Sequence, residues 1–232
     1  MLKTRVIPIL LWDGVQAVKT KQFKRPARPV GSMMQHILTM QERDVDELII
    51  LDINATREGR EPFYNKIELL ARQLYCPLTY GGGIYNLDQI KALLNSGVDK
   101  VAIKTAFLED PDFIDKAVQK FGAQCITIVI DYFKDGTGLF PLDFECGEIL
   151  LTSVMHEGMM NGYDIPLITG FSSLFSVPII ANGGAATPQH MLEAIKAGAS
   201  AVAAGSMFLY TDTTPKDCAK YLTSRGVECR IS

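Results

Sequence analysis

Eight short apolar runs, rich in β-branched residues, recur along the chain and alternate mostly with longer stretches of helical periodicity. They are Arg5–Leu11 (RVIPILL), Glu47–Asp52 (ELIILD), Pro77–Tyr80 (PLTY) and Lys100–Lys104 (KVAIK) in the first half, then Ile126–Asp131 (ITIVID), Glu148–Thr152 (EILLT), Pro178–Ala181 (PIIA) and Ala201–Ala204 (AVAA) in the second. Runs that are apolar at nearly every position belong to strands buried on both faces, as in a parallel sheet covered by helices. Eight such alternations predict a single (βα)8 TIM barrel. An open, doubly wound sheet is the structural alternative, and an internal repeat argues against it.

Residues 77–107 (PLTYGGGIYNLDQIKALLNSGVDKVAIKTAF) overlay residues 178–208 (PIIANGGAATPQHMLEAIKAGASAVAAGSMF) without a gap. Gly82 and Gly83 meet Gly183 and Gly184, Gly97 meets Gly198, and Phe107 meets Phe208. Each copy is a strand, a glycine turn, a helix, a glycine stop and a second strand, which makes the barrel a half-barrel duplication. At the same offset of 101, Glu47 overlays Glu148, but the ends of the first and fifth runs align only at an offset of 120, Leu11 on Asp131. The second half is 19 residues shorter at this point, with 16 residues (132–147) standing against 35 (12–46). The remaining YFKDGTGLFPLDFECG holds three glycines and a proline. A crossover needs at least about 10–12 residues with its helix, so the fifth helix is expected to be stunted or missing and the fifth and sixth strands poorly covered.

The chain has 232 residues, 47% of them hydrophobic, which fits one barrel domain over residues 1–232 better than two domains. A net charge of −3 leaves no nucleic-acid footprint. No apolar stretch approaches a membrane span, and the opening MLKTRVIPIL lacks a signal-peptide cleavage pattern. Cys76, Cys125, Cys146, Cys218 and Cys229 are odd in number and lack CxxC spacing. They read as thiols of a reducing compartment, the cytoplasm. With His36, His156 and His190 scattered, neither a metal nor another cofactor is expected.

In this fold the chemistry sits at the C-terminal ends of the strands. Those ends carry two glycine turns in opposite half-barrels, Gly82–Gly83 and Gly183–Gly184, each paired with a hydroxyl at the end of the next strand: Lys104–Thr105 and Gly205–Ser206. Glycine lets backbone N–H groups approach a phosphate, so the pattern predicts a ligand with two anionic ends; tight turns without a ligand are the simpler reading. Asp131 ends a strongly apolar strand and reads as a general acid/base or a loop cap; Asp52 has the same choice. Lys19 lies in a basic first loop able to close over a phosphate. Thr152, His156, Glu157 and Asn182 follow at the same mouth. At the opposite end, four strands open with a charge: Arg5, Glu47, Lys100 and Glu148. They are boundary charges in water or, if they point inward, a neutral ring closing the floor. A buried ring contributes little net stability, so its presence would suggest a gate.

The segments VDELIILDINATREGR, PLTYGGG, GVDKVAIKTAFLEDP, GEILLTS, GYD and PIIANGGA resemble the cyclase subunit of imidazole glycerol phosphate synthase over nearly the whole chain. The resemblance implies a (βα)8 barrel in a heterodimer with a glutaminase docked on the floor. Ammonia then crosses to a bis-phosphorylated ribulosyl substrate at the top. It marks Arg5, Glu47, Lys100 and Glu148 as the ammonia gate, Asp131 and Lys19 as catalytic, and the two glycine turns with Thr105 and Ser206 as phosphate sites.

The chain also departs from that pattern. The first strand ends Ile9-Leu10-Leu11 where the family has Cys-Leu-Asp, and that aspartate is the family's other acid/base. Asp13, two residues on, is a weak substitute. Lys104 stands where the family usually has Asn, and Met155 and Glu157 each replace an Asp. A leucine relays no protons, and losing one of two paired carboxylates costs about 10²–10⁴-fold. A branch with Leu at this place is associated with surface-polysaccharide clusters, where an acetamido sugar becomes an acetamidino sugar. The leading expectation is therefore an ammonia-delivering subunit of that branch. The alternatives are a true cyclase of histidine biosynthesis, a phosphosugar isomerase, and a non-catalytic scaffold that activates the glutaminase.

Overall fold

A computed structural model describes residues 3–133 and 144–230. Eight parallel strands form the barrel: β1 (Arg5–Trp12), β4 (Leu48–Asp52), β5 (Leu78–Gly81), β6 (Lys100–Ile103), β7 (Ile126–Tyr132), β8 (Glu148–Ser153), β9 (Ile179–Asn182) and β10 (Ala201–Ala204). The sheet closes because β10 pairs in parallel with β1, Arg5 opposite Ala201 and Pro8 opposite Ala204. Helices α1 (Met33–Glu42), α2 (Tyr64–Ala71), α3 (Leu87–Asn95), α5 (Asp112–Phe121), α6 (Ile165–Leu174), α7 (Pro188–Lys196) and α9 (Pro215–Ser224) surround it.

Strand alternation sorts the side chains into two cores. Val6, Leu10, Leu48, Ile50, Ile128 and Leu151 belong to the layer between barrel and helices. Ile7, Ile9, Ile49, Val129, Leu150 and Ile180, with the small Ala102, Ala201 and Ala203, fill the barrel itself.

The duplication holds at every element boundary within residues 78–109 and 179–210. Strands β5 and β6, helix α3 and the short α4 (Thr105–Glu109) recur at the same offset as β9, β10, α7 and α8 (Ser206–Tyr210). Both glycine turns use positive φ, +117° and +72° at Gly82 and Gly83, +96° and +101° at Gly183 and Gly184. The caps recur too: the Asn86 side chain accepts from the Gln89 N–H, and Thr187 from the His190 N–H.

Two features were not expected. The first loop folds into a hairpin, β2 (Ala17–Lys19) and β3 (Arg28–Gly31), that pairs antiparallel with the end of β1, Leu11 opposite Val18. In addition, β7 and β8 are well covered: Ile128 and Ile149 are fully buried. Phe144 packs edge-on against Phe107, ring centroids 4.9 Å apart, and lies 5.6 Å from Phe175. Phe144 and Phe175 pack against the same outer core layer as Ile128 and Ile149, which lie on strands that the short connection was expected to leave bare. The stunted fifth helix itself falls on residues 134–143, outside the described residues; residues 133 and 144–147 are not helical.

Candidate active site

The floor carries a closed ring of ion pairs. Arg5, Glu47, Lys100 and Glu148 share the inward strand face with Ile7, Ile49, Ala102 and Leu150. Arg5 Nη1 bonds Glu47 Oε2 at 2.6 Å, and Arg5 Nη2 bonds Glu148 Oε1. Lys100 Nζ bonds Glu47 Oε1 and Glu148 Oε2, both at 2.8 Å. Every carboxylate oxygen is used and the charges cancel. The Thr79 hydroxyl adds a bond to Glu47 at 3.3 Å. Burial pushes the Glu148 carboxyl up, but its bonds to Arg5 and Lys100 outweigh this and hold it below its ordinary value. Burial likewise opposes the charge on Arg5, and the two glutamates more than offset it.

Among the described residues, the mouth carries a cavity at each glycine turn. The larger, about 380 Å³, is lined by Gly82, Gly83, Lys104, Thr105, Asp131 and Arg57 among others. Lys104 and Asp131 leave adjacent strand ends, and Lys104 Nζ donates to Asp131 Oδ2 at 2.7 Å. The smaller cavity, about 30 Å³, is bounded by Gly183, Gly184, Gly205, Ser206, Lys19 and Leu11 among others. Its size follows from the first loop, which is docked over it. The Gln22 N–H donates to the Glu157 carbonyl and the Phe23 N–H to Glu157 Oε2, both at 2.9 Å. The Lys19 ammonium is drawn in against Gly205. Burial pushes this ammonium down to about 8, against the pull of Glu157.

The other expected residues divide in role. Asn182 Nδ2 donates to the Thr152 hydroxyl at 3.1 Å inside the barrel mouth. Glu157 is the fastening of the first loop. The His156 ring bonds the Gly162 carbonyl at 2.7 Å, so it supports the loop after β8 and does not face the mouth as expected. Asp52 borders the larger cavity, but its Oδ1 accepts from Arg60 at 2.8 Å and from the N–H groups of Asn54 and Ala55. That is the loop-cap reading. Asp13 is likewise engaged, its Oδ1 accepting from the Val15 and Gln16 N–H groups at 2.8 Å. Leu11 stays on the inward face with Ile7 and Ile9, so an apolar side chain stands at the end of β1. Among the described residues, no three His, Cys, Asp or Glu side chains gather as a metal-ligand set, and no helix is long and apolar enough to cross a membrane.

Arg60 and the hairpin were missed in the sequence. Arg60 lies eight residues beyond Asp52 in an irregular loop, where no periodicity marks a partner. The hairpin had a signal in the apolar pair Ala17-Val18 and in Pro29-Val30, set within an otherwise basic loop.

The family model described as histidine biosynthesis protein matches residues 5–140 and 141–214. Its break lies inside the 132–147 segment that is short relative to the first half. A Campylobacter jejuni protein, provisionally named imidazole glycerol phosphate synthase subunit hisF2, is 40% identical over 249 residues, covering all of both chains. Proteins named imidazole glycerol phosphate synthase subunit HisF are 35% identical in Dictyoglomus thermophilum and 34% in Dictyoglomus turgidum, again over the full length of each chain.

Proposed function

The chain belongs to the histidine biosynthesis protein family, among its HisF-like cyclase subunits, and we propose that it is the acceptor half of a glutamine-dependent synthase. In this reading a glutaminase docks beneath the floor and releases ammonia there. The ammonia passes between Arg5, Glu47, Lys100 and Glu148, crosses the interior, and reaches an acceptor held by anionic ends at Gly82–Gly83 and Gly183–Gly184. The observation that carries the reading is the closed four-residue ion ring at one end of a barrel with two glycine-walled cavities at the other. Between them the interior is mostly apolar, from Ile7 and Ile49 to Leu150 and Ile180. Such walls favour neutral ammonia over ammonium, because an unpaired charge is costly to bury. Asp131 serves as the acid/base and Lys19 as the cation that draws the first loop onto the second anion.

The acceptor is the finer point. Leu11 removes one of two facing acid/base positions, which fits delivery of ammonia to an acetamido sugar for a surface polysaccharide better than closure of an imidazole ring. The histidine-making reading draws support from the retained Asp131, Lys19 and both glycine turns. Complementation of a histidine auxotroph lacking its cyclase subunit separates the two. No growth of the wild type is expected, with growth appearing in Leu11→Asp; robust growth of the wild type would sink the polysaccharide reading.

A further inference from the structure

The larger cavity carries more positive charge than its own carboxylates balance. Lys104, Arg57 and Arg25 all line it. Arg57 comes no closer than 4.0 Å to Glu58, and Arg25 bonds the Ile53 carbonyl. Of the two acids at the wall, Asp52 is engaged by Arg60. Only Asp131 faces these cations, and Lys104 holds it at 2.7 Å. Among the described residues neither Lys104 nor Asp131 makes another side-chain hydrogen bond. The Lys104 side chain is 42% exposed and Asp131 12%. A partly exposed pair is weakly held, and a lysine on a flexible stem with three donors is readily taken over by a phosphate.

We propose that Lys104 is an exchange residue. In the empty cavity it neutralises Asp131. When an anionic ligand end reaches Gly82–Gly83, the ammonium swings onto that anion and leaves the Asp131 carboxylate free to accept a proton from the same ligand. Arrival of ligand thus switches on the base. This rests on the reading of Gly82–Gly83 as a phosphate wall. It also gives Lys104 a role that a neutral side chain there could not perform.

The test is titration of inorganic phosphate into the full-length chain, followed by NMR at the amides of Gly82, Gly83 and Thr105. Wild type, Lys104→Met, Asp131→Asn and the double variant are compared. Exchange predicts that Asp131→Asn tightens phosphate binding about 5- to 10-fold, and Lys104→Met weakens it by a similar factor. In the Lys104→Met background, Asp131→Asn then changes affinity less than about twofold. An equal gain from Asp131→Asn in both backgrounds would show a plain charge effect; it would overturn the exchange while leaving the phosphate wall standing. No phosphate-dependent shift at these amides would overturn both. In the wild type alone, the Asp131 carboxyl carbon signal must move as phosphate saturates, and a fixed signal also defeats the proposal.

Discussion

The Lys19 ammonium lies against Gly205, in the space a β-carbon there would occupy. Gly205 has φ −114°, open to any residue, so space and not backbone conformation calls for glycine. A methyl group would also press on the Ile9 carbonyl at 2.9 Å. Gly205→Ala is therefore expected to displace Lys19 and cut synthase activity at least about tenfold, at a stability cost of about 1–2 kcal/mol. Thermal unfolding beside steady-state kinetics checks this; unchanged activity would remove Lys19 from the site.

Burial of Lys19 also carries a sign. Its folded value of about 8 lies below the ordinary 10.5, so between these limits the unfolded chain binds more protons and stability rises with pH. The wild type should gain on the order of 3 kcal/mol relative to Lys19→Met from pH 8 to 10.5. Urea unfolding of both proteins across that range measures it. A constant difference would mean that Lys19 is hydrated.

The floor ring responds in acid. Because Glu148 is held below its ordinary 4.5, its contribution is full above that pH and is lost as pH falls through the folded value. The stability gap between wild type and Glu148→Gln should accordingly shrink below about pH 4.5. At neutral pH, breaking the ring with Lys100→Met leaves Glu47 and Glu148 short of a partner and costs about 3 kcal/mol. Denaturant curves at pH 7 and pH 4 give both numbers.

The aromatic group around Phe144 predicts that Phe144→Ala destabilises the barrel by about 2–3 kcal/mol, since Phe107 and Phe175 lose a shared neighbour. A neutral effect on melting temperature would show that the barrel does not depend on this packing.

The repeat was legible because glycines with positive φ must recur wherever the same turn recurs, and each element follows at one offset. The floor ring was legible from strand parity: Arg5 is in phase with Ile7, and Glu47 with Ile49. Parity also separates Asp131, in phase with Val129, from Asp52, in phase with Leu48 and Ile50 of the outer layer. Counting from Glu47 would have assigned Asp52 to the loop cap. The Lys104–Asp131 pair was not legible. It depends on how a flexible side chain bends between two strand ends, and sequence spacing carries no record of that. The packing of Phe144 was hidden similarly, because its partners are distant in sequence: Phe107 in α4 and Phe175 just beyond α6.

The passage of nitrogen from floor to mouth is tested most directly by isotope. The complex with the proposed glutaminase partner is given glutamine labelled with ¹⁵N at the amide, in a buffer containing excess unlabelled ammonium. A conduit through the Arg5–Glu47–Lys100–Glu148 ring predicts product carrying undiluted ¹⁵N in the wild type and diluted ¹⁵N in Lys100→Ala. Wild-type product whose nitrogen matches the buffer ammonium would contradict the account, because the ammonia would then have travelled through solution.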